Sequence, residues 1–78
     1  MNQKSLLIFL EELIANTSDQ KSIKLTMDDN IDTVSEWDSL ITVSIAAALS
    51  EEFNIKLSID DIEKLTSVRS IYEILSKR

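Results

Sequence analysis

The sequence predicts an all-α protein: a bundle of four helices, three of them longer and the third one short, with a long loop between the first two. Three observations carry this. Glycine and proline are both absent from the 78 residues, which removes the usual formers of tight hairpins and counts against a sheet built from them. Apolar residues recur at spacings of three and four, the period of a helix with one buried face. Serine, threonine or aspartate stands just ahead of the last three of these stretches, where a side-chain oxygen can accept the unpaired amides of a first helical turn. At this length one domain spanning residues 1–78 is expected, with a modest core.

The first helix is predicted from Gln3 to Ala15, with Leu6, Leu7, Leu10, Leu13 and Ile14 sharing a face and Glu11 and Glu12 in water. Asn16 to Asp38 is polar but carries Ile23, Leu25, Met27, Ile31, Val34 and Trp37. So long a connection in a small domain needs its own apolar residues to hold it to the core, and these six can do so. Asp38 or Ser39 caps a second helix that runs to about Phe53 through Ala46, Ala47, Ala48, Leu49, Glu51 and Glu52, all good helix formers. Ser58, followed by acids, starts a short third helix near Ile59 that ends by Leu65. Thr66 or Ser67 caps the last, in which Val68, Ile71, Ile74 and Leu75 share a face and Lys77 and Arg78 suit the C-terminal dipole. Ile23, Leu25 and Met27 alternate with polar residues, as do Ile55, Leu57 and Ile59. A two-stranded ribbon therefore competes with the helical reading there, although such a ribbon is marginal alone.

Composition narrows the function. Eight basic residues against fourteen acidic ones give a net charge of −6, which repels phosphate backbones and anionic membranes and attracts basic proteins. Nucleic acid and membrane are not expected partners. The apolar run Leu6-Leu7-Ile8-Phe9-Leu10 is cut off by Glu11 and Glu12, too short for a signal-peptide core or a membrane span, so a cytoplasmic location is expected. There is no cysteine and no histidine, hence no disulfide, no thiolate and no imidazole base. Asp28-Asp29-Asn30-Ile31-Asp32 lacks the glycine turn and terminal glutamate of a calcium loop and reads as a solvated turn. No metal site is expected.

Helix periodicity divides the second helix into two faces. Thr42, Ile45, Ala46, Leu49 and Phe53 form a core face. Leu40, Val43, Ser44, Ala47 and Glu51 lie opposite, with Ile41 at the edge. For Ile41, packing against a neighbouring element is the better reading. Leu40, Val43 and Ala47, rimmed by carboxylates, fit either such packing or a docking patch for a basic partner with an apolar groove.

Ser39, in the run Trp37-Asp38-Ser39-Leu40, has no partner for nucleophilic catalysis: the chain supplies no histidine, and Lys24, Lys56 and Lys64 stand in polar surroundings that keep an ammonium charged. An enzyme is not expected. By residue type alone Ser39 is a helix N-cap.

Asp38-Ser39-Leu40 opening a helix midway along an acidic chain of this size resembles the attachment motif of the acyl and peptidyl carrier proteins. The resemblance continues through LITVSIAAALSEEFNIKLSIDDIEKLTSVRSIYEIL, with its EEFNIKL, its acid-started short helix and its Thr-Ser-Val-capped last helix. It implies an acyl-carrier-protein-like four-helix bundle in which Ser39 accepts 4′-phosphopantetheine from coenzyme A. Acyl or aminoacyl groups then ride as thioesters on the arm. The resemblance further implies that Asp38 caps the helix and helps engage the phosphopantetheinyl transferase, whose magnesium is used by that enzyme and not held here. A loading ligase or synthetase and an acyltransferase or synthase are the other implied partners. They would read Glu36, Asp38, Leu40, Val43, Ala47, Glu51 and Glu52, joined by Asp60, Asp61 and Glu63 of the third helix. A monomer is expected. Where the family commonly has a glycine shortly before the motif this chain has Ser35-Glu36-Trp37, and Ile41 and Ser44 replace frequent acids. In this it is more similar to stand-alone carriers of specialised pathways than to those of housekeeping fatty acid synthesis. The competing reading is an unmodified helical docking module in which Ser39 only caps.

Overall fold

Each helix begins where a short polar side chain reaches back over its first turn. The computed structural model describes residues 2–18 and 23–77. Among them lie α1 (Gln3–Thr17), α2 (Ser39–Phe53), α3 (Ile59–Glu63) and α4 (Val68–Ser76). Asn2 Oδ1 accepts the Ser5 amide at 2.8 Å to start α1, and Asp38 Oδ1 accepts the Ile41 amide at 2.9 Å to start α2. Ser58 Oγ accepts the Asp61 amide while the Asp61 carboxylate accepts that of Ser58, so α3 opens on a reciprocal capping box. Ser67 Oγ accepts the Ser70 amide at 3.1 Å to start α4. Such caps each contribute about 1 kcal/mol. At the far end of α2, Asn54 takes the left-handed conformation with φ 52°, a position that glycine usually fills and asparagine tolerates best among the rest. At the end of α4, Lys77 is the C-cap residue; Arg78 lies outside the described residues.

The helices close around one core, to which α1 gives Leu6, Leu10 and Ile14, α2 gives Ile41, Ile45, Ala46 and Leu49, and α4 gives Val68, Ile71 and Ile74, with Leu65 just before it. Full burial of each large aliphatic member contributes about 1.5 to 3 kcal/mol. Leu7, Leu13 and Leu75 flank the core half-buried. Phe9 and Phe53 tie α1 to the end of α2 through an edge-on ring contact, 5.6 Å between centroids.

The long connection is held as its composition requires: Leu25, Val34 and Trp37 are buried, and Ile23, Met27 and Ile31 pack partly against the core. Two expectations change. Glu11 is not simply solvated; half-buried on α1, it accepts the Leu25 amide at 2.8 Å, which fixes the loop where it crosses the helix. Residues 28–32 are not merely a solvated turn either. Asp29 accepts the Thr26 amide at 2.8 Å and the Thr33 hydroxyl at 2.9 Å, and Asn30 Oδ1 accepts the amides of Asp32 and Thr33. The backbone here pairs with the entry to α4, Ile31 donating to the Thr66 carbonyl and Val68 to that of Asp29. An Arg69–Asp28 ion pair closes the outside at 3.0 Å.

The resulting Asn30–Ser67 bridge is the β-pairing found among the described residues, and neither alternating stretch forms a strand. Ile55 and Leu57 instead lean on the core from an irregular connection, so their alternation reflects burial of every second side chain without a partner strand.

Candidate attachment and docking site

The start of α2 is built from Trp37 upward. Its side chain is 2% exposed, and its indole Nε1 donates to Thr42 Oγ1 at 3.1 Å. The Thr42 hydroxyl in turn donates to the Asp38 carbonyl at 3.0 Å, beside the helical bond from the Thr42 amide to the same oxygen. Trp37 and Thr42 thus hold Asp38 from both sides in extended geometry, φ −124°, with its carboxylate over the first turn.

That settles which residue caps. Asp38 occupies the cap position and Ser39 is the first helical residue, so the reading in which Ser39 only caps α2 is corrected. A carboxylate one residue earlier has taken the amide that a capping serine would serve. Ser39 is exposed, and its hydroxyl hydrogen-bonds to none of the described residues. The amides of Ser39 and Leu40 precede the first intrahelical bond and point from the positive end of the helix dipole.

The two faces of α2 separate as its periodicity predicts, with one refinement. Ile45, Ala46 and Leu49 are buried and Thr42 and Phe53 half-buried, and Ile41 is buried too, at 3% exposure. On the outer face Leu40 and Val43 are 70% and 60% exposed, and Ala47, Glu51 and Glu52 are exposed with them. Ser44 is half-buried and so belongs to neither face fully. Glu36 is half-buried ahead of the helix and accepts the Ser35 hydroxyl at 3.2 Å. α3 packs against α2 and exposes Asp60 and Glu63, along with Ile59 at 76% exposure. Sequence reasoning did not single out Ile59 as a surface residue. Asp61 differs from its neighbour: engaged in the capping box, it lines a cleft of about 440 Å³ with Lys64, Ser70, Glu73 and Lys77, between α3 and α4.

Residues 9–75 match the family model described as the phosphopantetheine attachment site. The chain belongs to this family, whose members are carriers rather than enzymes and whose prosthetic group is 4′-phosphopantetheine. It is 48% identical over 40 residues to an acyl carrier protein of Buchnera aphidicola subsp. Baizongia pistaciae, a match covering 51% of each chain. The chain thus spans about half the length of that relative. It is 28% identical over 69 residues to the polyketide-8 synthase acyl carrier protein 2 of Streptomyces avermitilis, covering 88% of this chain and 79% of that one. The solution structure of holo acyl carrier protein from Geobacter metallireducens superposes with a TM-score of 0.72 at 25% identity, over 92% of this chain and 83% of that chain. The all-helical architecture is therefore the carrier-protein fold. Among the described residues no helix is long and apolar enough to cross a membrane.

Proposed function

We propose that the chain is a single carrier domain on which Ser39 accepts 4′-phosphopantetheine, and that the outer face of α2 presents the loaded arm to partner enzymes. The observation that carries this reading is the exposed and uncommitted Ser39 hydroxyl, one residue inside a helix whose cap is already supplied by Asp38. The residues fit the group: a phosphodiester on Ser39 would lie at a helix N-terminus with the Ser39 and Leu40 amides unspent, where the dipole favours an anion. Once attached, the group supplies the terminal thiol that carries acyl or aminoacyl cargo as a thioester, which a chain without cysteine cannot offer. The Trp37–Thr42 hydrogen bond keeps Asp38 and Ser39 in place for a separate transferase that brings its own base and magnesium.

Incubation with coenzyme A, magnesium and a broad-specificity phosphopantetheinyl transferase is expected to add one phosphopantetheine mass, and none to Ser39→Ala. A folded wild-type sample that gains no mass overturns the reading.

Leu40, Val43 and Ala47, with Glu36, Asp38, Glu51, Glu52, Asp60 and, at the edge, Asp61, form the proposed surface for the transferase, the loading ligase or synthetase and the acyltransferase or synthase. Apolar groups exposed beside carboxylates suit a shallow apolar groove flanked by arginine or lysine. Ala47→Arg is expected to slow turnover with such an enzyme while leaving the melting curve unchanged, whereas Leu49→Ala on the inner face costs about 2 to 5 kcal/mol of stability. Unfolding by Ala47→Arg would show the two faces to be misassigned.

The reading extends to a cytoplasmic, monomeric carrier of a specialised pathway. Its support is the Streptomyces polyketide carrier aligned along most of the chain and the apolar Ile41 and polar Ser44 on a helix that is frequently more acidic. The intact mass of the protein from its own host tests this through the cargo it reports.

A further inference from the structure

The long connection has two halves with different anchors. Its first half is fixed to α1, where Glu11 accepts the Leu25 amide. Its second half is fixed to both α4 and α2, and the hydrogen bonds between those ends form an unbroken series. Ile31 donates to the Thr66 carbonyl at 2.8 Å, just ahead of α4. Asn30, beside it and bridged to Ser67, accepts the Val34 amide on its carbonyl at 3.1 Å, and the Val34 carbonyl accepts the Trp37 amide at 3.0 Å. The Trp37 indole donates to the Thr42 hydroxyl, that hydroxyl donates to the Asp38 carbonyl, and the Asp38 carboxylate accepts the Ile41 amide. The series therefore runs from the entry of α4 to the turn of α2 that carries Ser39.

Three features make residues 30–38 a strut rather than a tether. Val34 and Trp37 are both buried, so the segment is held to the core at two points. Asn30 is engaged through its amide, which donates to Thr33 Oγ1, through its carbonyl, and through Oδ1, which accepts the amides of Asp32 and Thr33. The segment also contains neither glycine nor a positive φ, the usual places where a loop bends. We infer that this strut positions Ser39 for loading, and that Asn30, at its far end, is a positioning residue for that reaction. The inference rests on the Ser39 reading. In loading, the Ser39 oxygen bonds to the pantetheine-bearing phosphorus of coenzyme A and the bond between the two bridged phosphates breaks. Adenosine 3′,5′-bisphosphate leaves, and the serine proton passes to a base of the transferase. Such a displacement needs the oxygen in line with the bond that breaks, and a serine whose backbone is already fixed meets that need without ordering a loop at each encounter. Asn30 touches no reacting atom; it acts through Trp37, Thr42 and Asp38.

The test compares the full chain as wild type, Asn30→Ala, Asn30→Asp and Asn2→Ala in steady-state loading with coenzyme A, magnesium and a broad-specificity transferase, with NMR on the same samples. Asn30→Ala is expected to lower kcat about fivefold to tenfold while KM for coenzyme A stays within about twofold, since orientation and not binding is lost. Asn30→Asp keeps the side-chain acceptor and should recover most of the rate. Asn2→Ala removes the α1 cap, off the strut, and should load within about twofold of wild type. Trp37 is the chain's one tryptophan, so its indole N–H gives a single resonance. That resonance is expected to move in Asn30→Ala and to stay in place in Asn2→Ala. In the wild type, the Ile31, Val34 and Trp37 amides should exchange with solvent as one opening unit, with protection matched within about tenfold, a reading that needs no variant to fold. Four outcomes overturn the inference: Asn30→Ala loading at the wild-type rate, equal slowing by Asn2→Ala, slowing with an unmoved indole signal, or protection of the three amides spread more widely than that. A wild-type chain that does not load sinks the Ser39 reading and this inference with it, whereas wild type and Asn30→Ala loading alike sink this inference alone.

Discussion

Ser67 and Ser39 both stand at the start of a helix, one at the cap position of α4 and the other one residue inside α2. The Ser67 hydroxyl is fully employed: it accepts the Ser70 amide at 3.1 Å and donates to the Ser70 hydroxyl at 2.8 Å, half-buried beside the bridge to Asn30. Ser58 is used in the same way on α3. At α2 that work passes to Asp38, and the serine behind it is left exposed, with no hydrogen bond from its hydroxyl to any described residue. A shift of one residue therefore separates a serine that holds a fold together from one available for chemistry. An aspartate is well suited to free its neighbour, since its carboxylate interacts favourably with the positive helix end as well as with the amide it caps.

The comparison is sharpened most by alanine at the two positions. Ser39→Ala is expected to lose phosphopantetheine loading completely, read by intact mass, and to alter thermal stability by no more than about 0.5 kcal/mol, as for an exposed side chain without partners. Ser67→Ala should do the reverse, costing about 1 kcal/mol in denaturant melts with loading retained. If Ser39→Ala proves the more destabilising of the two, the assignment of caps is wrong. Asp38→Ala falls between them. It loses about 0.5 to 2 kcal/mol of cap energy and also slows loading, because the residue that positions Ser39 has been removed. Asp38→Ser is expected to recover most of the stability.

The smallest effect concerns acid. The Thr26 amide and then the Thr33 hydroxyl, donating to Asp29, hold its carboxyl below the ordinary aspartate value of 3.8, with partial burial working weakly the other way. Because the folded value is the lower one, this contribution is complete above pH 3.8 and is lost as pH falls below it toward the folded value. Asp29→Asn should accordingly show a flatter loss of stability over that acid range, measured by urea melts at stepped pH. A steeper one would mean that the Asp29 hydrogen bonds are not what ties the loop to α4.

Much of this architecture was legible because the signals are local. The caps, the apolar spacing of α1 and α4 and the two faces of α2 each depend on residues within a few positions of one another, and a helix fixes the geometry between them. The role proposed for Ser39 was legible only through family resemblance, since residue type alone made it a cap. Glu11 was misjudged, and Ile59 passed over, for one reason. Whether an apolar residue in a short run is covered, or an acid beside a helix meets an amide, depends on where distant chain passes.

The sequence by itself determined four helices, their starts, the inner face of α2 and an anionic surface without thiol or imidazole, because period, cap chemistry and composition act over a turn or less. Only the tertiary structure decided that Asp38 rather than Ser39 caps α2, that Glu11 receives Leu25, and that residues 29–31 bind the entry to α4. These contacts join residues far apart in the chain, or choose between two neighbours equally able to serve. Each is fixed by the path of the loop over the core, and local preference is too weak to fix that path.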